Sequence, residues 1–228
     1  MVGNGKMGRA VAELAEARGH TVAGLLGARE NPGGEGLKAG RLAGVDVAIE
    51  FTEPGAVVAN LEHLIEAGVP TVTGTTGWLA ELPRITGLVR RKGGALLHAS
   101  NFSVGVHLFL RAAHDLSRRL AGHTDFGAFI LEEHHAAKLD VPSGTARALQ
   151  SSLRAGDPER EFPITSVRAG EIPGTHVVTY DGSSETIALS HVSRDRAGFA
   201  AGAVAAAAWL PGRPGVHTFE DMLFGASE

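Results

Sequence analysis

The stretch Gly3-Asn4-Gly5-Lys6-Met7-Gly8 fits the pattern G-x-G-x-x-G and runs straight into helical spacing, with Val11, Leu14 and Ala15 on one face and Gly19 as the stop. Each glycine of that pattern has its own physical task. The first makes a tight turn, the second lets backbone approach a pyrophosphate, and the third lets helix and strand pack closely. The helix N-terminus then offers free N–H groups and partial positive charge to phosphates. In a chain with 31 glycines the motif alone is a weak signal, so its context matters. Residues 21–26 read as a short buried strand, 31–40 as a glycine-rich loop, and 45–51 as a second buried strand. Pro54 opens a helix with Val57, Leu61, Leu64 and Ile65 on one face, ending at Gly68. Residues 69–73 form a strand, 78–92 a helix interrupted near Pro83, and 95–99 another strand. This βαβ alternation predicts a Rossmann-like parallel sheet covered on both faces. Only Met1 and Val2 precede Gly3, whereas a first strand takes about five residues. The strand is therefore expected to be stunted, or the native start to lie further upstream.

The pattern changes after Asn101. Residues 104–120 form a long amphipathic helix, 126–131 a strand and 143–154 a helix. Then 164–168, 176–180 and 185–192 read as strands joined by turns, and 197–210 as a final long helix. Consecutive strands without helices between them predict an α+β domain with an open, largely antiparallel sheet. The fold class is thus α/β, in two domains. Residues 1–101 and 208–228 are expected to bind a dinucleotide, and 102–207 to bind substrate and oligomerise.

The 228 residues are 43% hydrophobic and 20% charged, an ordinary globular balance. The net charge of −4 argues against a general nucleic-acid or anionic-membrane binder. The absence of cysteine excludes disulfides, thiolate metal sites and a cysteine nucleophile. No basic-then-apolar segment opens the chain, and the longest apolar run, 199–210, is too short to span a bilayer. A cytoplasmic location, with neither membrane nor nucleic acid as partner, is the expectation.

Cofactor choice is read about 20 residues beyond the glycine loop. Arg29 there suits the 2′-phosphate of NADPH, while the adjacent Glu30 suits the ribose of NADH. NADPH is favoured, with NADH accepted. Gly74-Thr75-Thr76-Gly77 sits at the carboxyl end of an expected parallel strand, where small residues allow close approach to a nicotinamide ribose; a plain turn explains it equally well.

The densest chemistry lies between Glu133 and Thr145. His134 and His135 exchange protons near neutral pH. Lys138 adds a cation. Ser143, Gly144 and Thr145 begin a helix and form an anion site from backbone N–H groups and hydroxyls. An anionic substrate that needs a proton is served by all three. No metal site is expected, since no H-E-x-x-H spacing and no cysteine occur.

The segment His134-His135-Ala136-Ala137-Lys138-Leu139-Asp140-Val141-Pro142-Ser143-Gly144-Thr145-Ala146 resembles the H-H-x-x-K-x-D-x-P-S-G-T-A signature of the dihydrodipicolinate reductase family, matching every fixed position. The glycine loop with Met7, the 74–77 turn, residues 99–105 and the segments 167–170 and 174–176 extend the resemblance over nearly the whole chain. Ala28 departs from it, standing where many members carry an acid before the basic residue.

The resemblance implies NAD(P)H-dependent reduction of a cyclic, unsaturated dicarboxylate, 4-hydroxy-tetrahydrodipicolinate, on the diaminopimelate route to lysine. It implies His134 as the acid and Lys138 as a second catalytic group. His135, Lys138, Ser143, Gly144 and Thr145 would hold the carboxylates. Gly3, Asn4, Gly5, Lys6, Met7, Gly8, Arg29, Gly74, Thr75, Thr76, Ala99, Ser100, Asn101 and Phe102 would line the cofactor. It also implies domain closure around substrate and a homotetramer built through the second sheet. Competing readings are another two-domain reductase of a small carboxylate or amino acid, and a non-catalytic dinucleotide sensor.

Overall fold

The computed structural model describes residues 1–225, so the last three positions of the expected 208–228 segment, Ala226, Ser227 and Glu228, lie outside it. The chain divides into two compact units: Met1–Ser103 together with the residues from Arg196 onward, and Val104–Asp195.

The first unit holds α1 (Lys6–Ala17), β1 (Ala48–Glu50), α2 (Val57–Glu66), β2 (Thr71–Thr73), α3 (Leu82–Lys92) and β3 (Ala95–His98). After the second unit come α6 (Ala197–Trp209), β8 (Gly215–Thr218) and α7 (Phe219–Phe224). Its sheet is parallel throughout, in the order β1-β2-β3-β8. Val2 extends it by single parallel bridges to Glu50 and Leu26. Counted along the chain, the order reverses at Val2, which places the glycine loop at the switch point where open α/β sheets bind ligands.

The first strand is stunted to that one bridging residue. The neighbouring residues 21–25, read as strand, are irregular coil, meeting the short first strand only where the Met1 amino group donates to Gly24 O at 2.8 Å. Between residues 21–24 and 45–48 lies a cavity of about 680 Å³, floored by Val11 and Ala15 on one side and Leu37 and Leu64 on the other.

The domain boundary differs from the sequence reading of 102–207. The alanine-rich α6 packs with the first unit, where Ala200, Ala203, Val204 and Ala207 join Val11, Val72 and Leu97 in one core. Gly202 permits this approach, since a Cβ there would overlap the Phe102 carbonyl. A nearly all-apolar helix needs burial on every side, and this sheet face supplies it. The opposite face of the sheet is covered by α2 and α3, through Leu61, Ile65, Ile85 and Val89.

The second unit contains α4 (Val104–Leu120), β4 (Gly127–His134), α5 (Gly144–Gly156), β5 (Ile164–Arg168), β6 (Thr175–Asp181) and β7 (Thr186–Val192). The sheet order is β5-β4-β6-β7; β4 runs parallel to β5, and the other pairs are antiparallel. Strand alternation divides the sheet into two faces. Ile130, Val178 and Tyr180 point into a core shared with Phe109, Leu149 and Leu153 of α4 and α5. Glu132, His134 and His176 are buried on the same face, further along the strands. No helix among the described residues is long and apolar enough to cross a membrane.

Candidate active site

In the first unit the loops after Val2, β1, β2 and β3 all leave the carboxyl edge of the parallel sheet. Backbone hydrogen bonds from Phe51 N–H to Val2 O (2.8 Å), Gly74 N–H to Glu50 O (2.9 Å) and Ala99 N–H to Thr73 O (3.1 Å) hold their starts in line. The glycine loop divides its tasks as the spacing predicts. Gly3 has φ +99°, and a Cβ on it would overlap the Phe51 carbonyl. A Cβ on Gly8 would overlap Gly3 O, so the helix sits against the strand end. Gly5, the N-cap of α1, faces open space, with nothing within 4 Å of its Cβ position. That is the cradle a phosphate needs above free helix N–H groups, so the residues present fit a dinucleotide.

The Asn4 side chain lies against Gly27, which brings the turn carrying Arg29 beside the loop. Arg29 is exposed, and Glu30 accepts the Gly27 N–H at 3.0 Å. Lys6 is exposed, whereas Met7 packs partly into the core. Thr76 is exposed at the next loop, and Thr75 is buried, with its Oγ1 accepting the Thr52 N–H at 2.8 Å. Ser100 is exposed, and Asn101 Oδ1 accepts the Ser103 N–H at 2.7 Å. Phe102, expected to line the cofactor, could do so only through its backbone. Its ring is 2% exposed and stacks edge-on with Phe51 and Phe219 in the core, so it anchors the loop and presents no ring to a ligand.

Sequence reasoning missed Glu50 in this unit. It is fully buried at the end of β1, where Thr73 donates to it at 2.5 Å and Thr52 and Asn60 surround it. It ties the ends of β1 and β2 together beneath the 74–77 turn.

The second unit assembles its polar residues around the end of β4. Ser143 caps α5, its Oγ accepting the Ala146 N–H at 3.1 Å. Gly144 is exposed, with nothing within 4 Å of its Cβ position, and Thr145 is half-buried on the first turn. There is room above the helix start at Gly144, whose N–H is taken by the Asp140 carboxylate, so an anion there takes the place of that side chain. Lys138 reaches Asp140 at 2.7 Å, and this pair lies on the loop between His134 and the helix. The loop is fixed at both ends. Ala169 N–H donates to His134 O, Ala136 N–H to Gly170 O, and Arg168 to Asp140 O. His134 is buried on the inner face; His135, one residue past the strand, is half-buried.

Beneath them sits Glu132, fully buried. Its Oε1 accepts from Ser143 N–H (3.1 Å), Ser166 Oγ (2.6 Å) and Arg168 (2.8 Å). Its Oε2 lies 2.9 Å from His134 Nδ1 and 3.9 Å from His176 Nε2. Burial pushes the carboxyl up, but the hydrogen bonds from Ser143, Ser166 and Arg168 outweigh it and bring it down to about 2. Burial lowers His134 from its ordinary imidazole value; Glu132 opposes this, and Lys138 and Arg168 reinforce it. Burial, with the neighbouring His134, brings His176 down to about 4. The three groups lie close enough to share a cation, but the Arg168 guanidinium already supplies positive charge to the carboxylate. Glu132 Oε1 is held by its three donors, whereas Oε2 and the Nδ1 atoms of His134 and His176 have no hydrogen-bond partner among the described residues.

Two family models match the chain: the dihydrodipicolinate reductase N-terminus over residues 1–102 and the dihydrodipicolinate reductase C-terminus over residues 105–223. The chain belongs to the dihydrodipicolinate reductase family. It is 35% identical over 235 residues to the 4-hydroxy-tetrahydrodipicolinate reductase of Christiangramia forsetii, covering 98% of this chain and 96% of that one. It is 35% identical over 244 residues to the Caulobacter vibrioides protein of the same name, covering 96% and 94%. Its fold matches that of dipicolinate-bound dihydrodipicolinate reductase from Paenisporosarcina sp. TG-14, with a TM-score of 0.78 at 21% identity, over 97% of this chain and 96% of that one.

Within this dihydrodipicolinate reductase framework, the structure brings His134, Lys138, Ser143, Gly144 and Thr145 to one end of the second sheet. Sequence reasoning named these but missed Glu132, Arg168 and His176 as their support. One signal was available for Glu132: an acid two residues before a histidine on a strand shares its face.

The glycine loop generates a discriminating prediction. Gly5→Ala should leave thermal stability unchanged yet weaken dinucleotide binding at least roughly tenfold, the scale of a lost close approach worth about 1.4 kcal/mol. Gly8→Ala should lower the melting temperature by several degrees, since overpacking costs about 1–3 kcal/mol. Calorimetry and nucleotide titration of both variants check this; the reverse assignment of effects would contradict it.

Proposed function

We propose that this chain reduces 4-hydroxy-tetrahydrodipicolinate to tetrahydrodipicolinate with NADPH, and less readily with NADH, on the diaminopimelate route to lysine. The observation that carries the reading is the convergence of an imidazole, an ammonium group and a helix N-terminus around the end of β4, where the Asp140 carboxylate already meets Lys138 and the Gly144 N–H. Each answers one feature of a dicarboxylate ring that must gain a proton.

A bound nicotinamide would supply the hydride, and the glycine loop, the 74–76 turn and Ala99, Ser100 and Asn101 would hold it. The chain's own residues do the rest. Ser143, Gly144 and Thr145 offer hydroxyls and backbone N–H groups to one carboxylate. Lys138 exchanges its Asp140 partner for substrate, and His135 completes the grip. As hydride adds, negative charge builds on the ring, and Lys138 stabilises it. His134 then delivers the balancing proton, and over the whole reaction the 4-hydroxyl departs as water, so the ring gains a hydride and a proton and loses one H2O. Because burial lowers its pKa, the free protein holds this ring largely neutral at pH 7. A doubly negative substrate favours the imidazolium, so substrate and proton arrive together. The rate constant kcat/KM should accordingly fall as pH rises.

For cofactor choice, exposed Arg29 lies on the turn beside the loop, while Glu30 is occupied with the Gly27 N–H. That favours a 2′-phosphate. For assembly we propose a homotetramer through the outer face of the second sheet, where Phe129 and Val192 are exposed apolar residues.

The test is oxidation of NADPH and NADH, side by side, with freshly generated substrate. Turnover with both, faster with NADPH, is expected. Nucleotide binding without turnover would favour a sensor. Lys138→Ala should lower turnover at least roughly a hundredfold, the scale of one lost proton-donating or charge-stabilising group. Near-normal turnover would remove the lysine from the mechanism. Arg29→Ala should raise the Michaelis constant for NADPH much more than for NADH, and equal effects would defeat the 2′-phosphate assignment.

A further inference from the structure

We propose that Glu132 is a positioning residue for His134: its carboxylate takes the Nδ1 proton of the neutral ring, leaving Nε2 to carry the transferable one. This rests on the functional reading above, and the geometry is independent of it. Oε1 is saturated by three donors from two segments, namely Ser143 N–H before α5 and Ser166 Oγ and Arg168 on β5. That arrangement fixes the plane of the carboxylate. Oε2 lies 2.9 Å from His134 Nδ1, and as placed neither buried atom has a hydrogen-bond partner among the described residues; a small turn of the ring joins the two. His176 lies 3.9 Å from Oε2, too far to compete, and its Nε2 is 3.0 Å from Ser143 Oγ. The charged and titratable groups facing His134 are therefore Glu132, Arg168, Lys138, Asp140 and His176.

The chemistry follows from the donor inventory. An ionised carboxylate only accepts, so it selects the Nδ1–H form and stabilises the imidazolium once Nε2 is protonated. The same residue holds the backbone of Ser143, so the proton donor and the anion-binding helix mouth are set by one side chain.

Glu132→Gln makes a sharp test. The amide oxygen must face the three donors, because an amide N–H there would meet three hydrogens. The amide N–H groups then face His134 Nδ1 and force the neutral ring into the Nε2–H form. Nitrogen-15 NMR of histidine-labelled full-length protein, with His134 assigned from the spectrum of His134→Gln, reads the tautomer directly. The wild-type ring should carry its proton on Nδ1, and Glu132→Gln should move it to Nε2 and lower the pH at which the ring becomes doubly protonated. Turnover should fall at least about tenfold in the variant, with the nucleotide dissociation constant unchanged. A wild-type ring protonated on Nε2, or a tautomer unmoved by the substitution, overturns the proposal. If Glu132→Gln does not fold, the wild-type spectrum alone decides. The expected tautomers in a protein without reductase activity would overturn the functional reading and leave the placement of the proton standing.

Discussion

The Glu132 carboxylate lies on the helix-covered face of the second sheet, with three donors on one oxygen and an imidazole against the other. A buried charge is tolerated only when its lone pairs are satisfied. Here the donors come from the loop before α5 and from two positions on β5, and the carboxylate itself sits on β4. The network therefore fixes the strand end, the loop and the helix start relative to one another. A carboxyl lowered from 4.5 to about 2 favours the folded state by ~3 kcal/mol. That contribution is present above the unfolded value and is lost as pH falls through the folded one.

The first unit solves a similar problem with a different balance of parts. Its ligand-facing edge is mostly backbone, shaped by glycines that admit close approach at Gly3 and Gly8 and leave room at Gly5. Glu50 plays the structural part, buried among Thr52, Thr73 and Asn60 at the ends of β1 and β2. Neutral donors hold it, with no guanidinium among them. Each unit thus places one buried glutamate under the loops that would meet a ligand, and leaves the exposed groups free to exchange partners.

What was legible in the sequence was local. The tasks of the glycine loop follow from contacts within a few residues and from one neighbouring strand. The helix Val104–Leu120 has the bounds its apolar stripe predicts. The grouping of His134, Lys138 and Ser143 needed only a strand, a loop and a capped helix. Contacts between distant segments were not legible. Arg168 lies 36 residues from Glu132, and nothing in spacing announces their pairing. Helix α6 follows the second sheet in sequence, yet its packing partners are Val11 and Leu97 of the first unit. Its uniform alanine content carried the relevant information, since no amphipathic face points such a helix toward solvent. Residues 21–25 have strand-like composition, but a strand exists only where a neighbour completes its ladder.

The account stands on Glu132 being ionised and held by its three donors in the folded protein at every pH where the protein works. Carbon-13 NMR of protein labelled at the glutamate side-chain carboxyls, with Glu132 assigned from the spectrum of Glu132→Gln, follows that group through an acid titration. The account predicts a midpoint near 2, well below the other glutamates. A midpoint at the ordinary carboxylate value would show that the three donors do not hold the charge, and would contradict the arrangement from which the proton donor and the helix mouth take their positions.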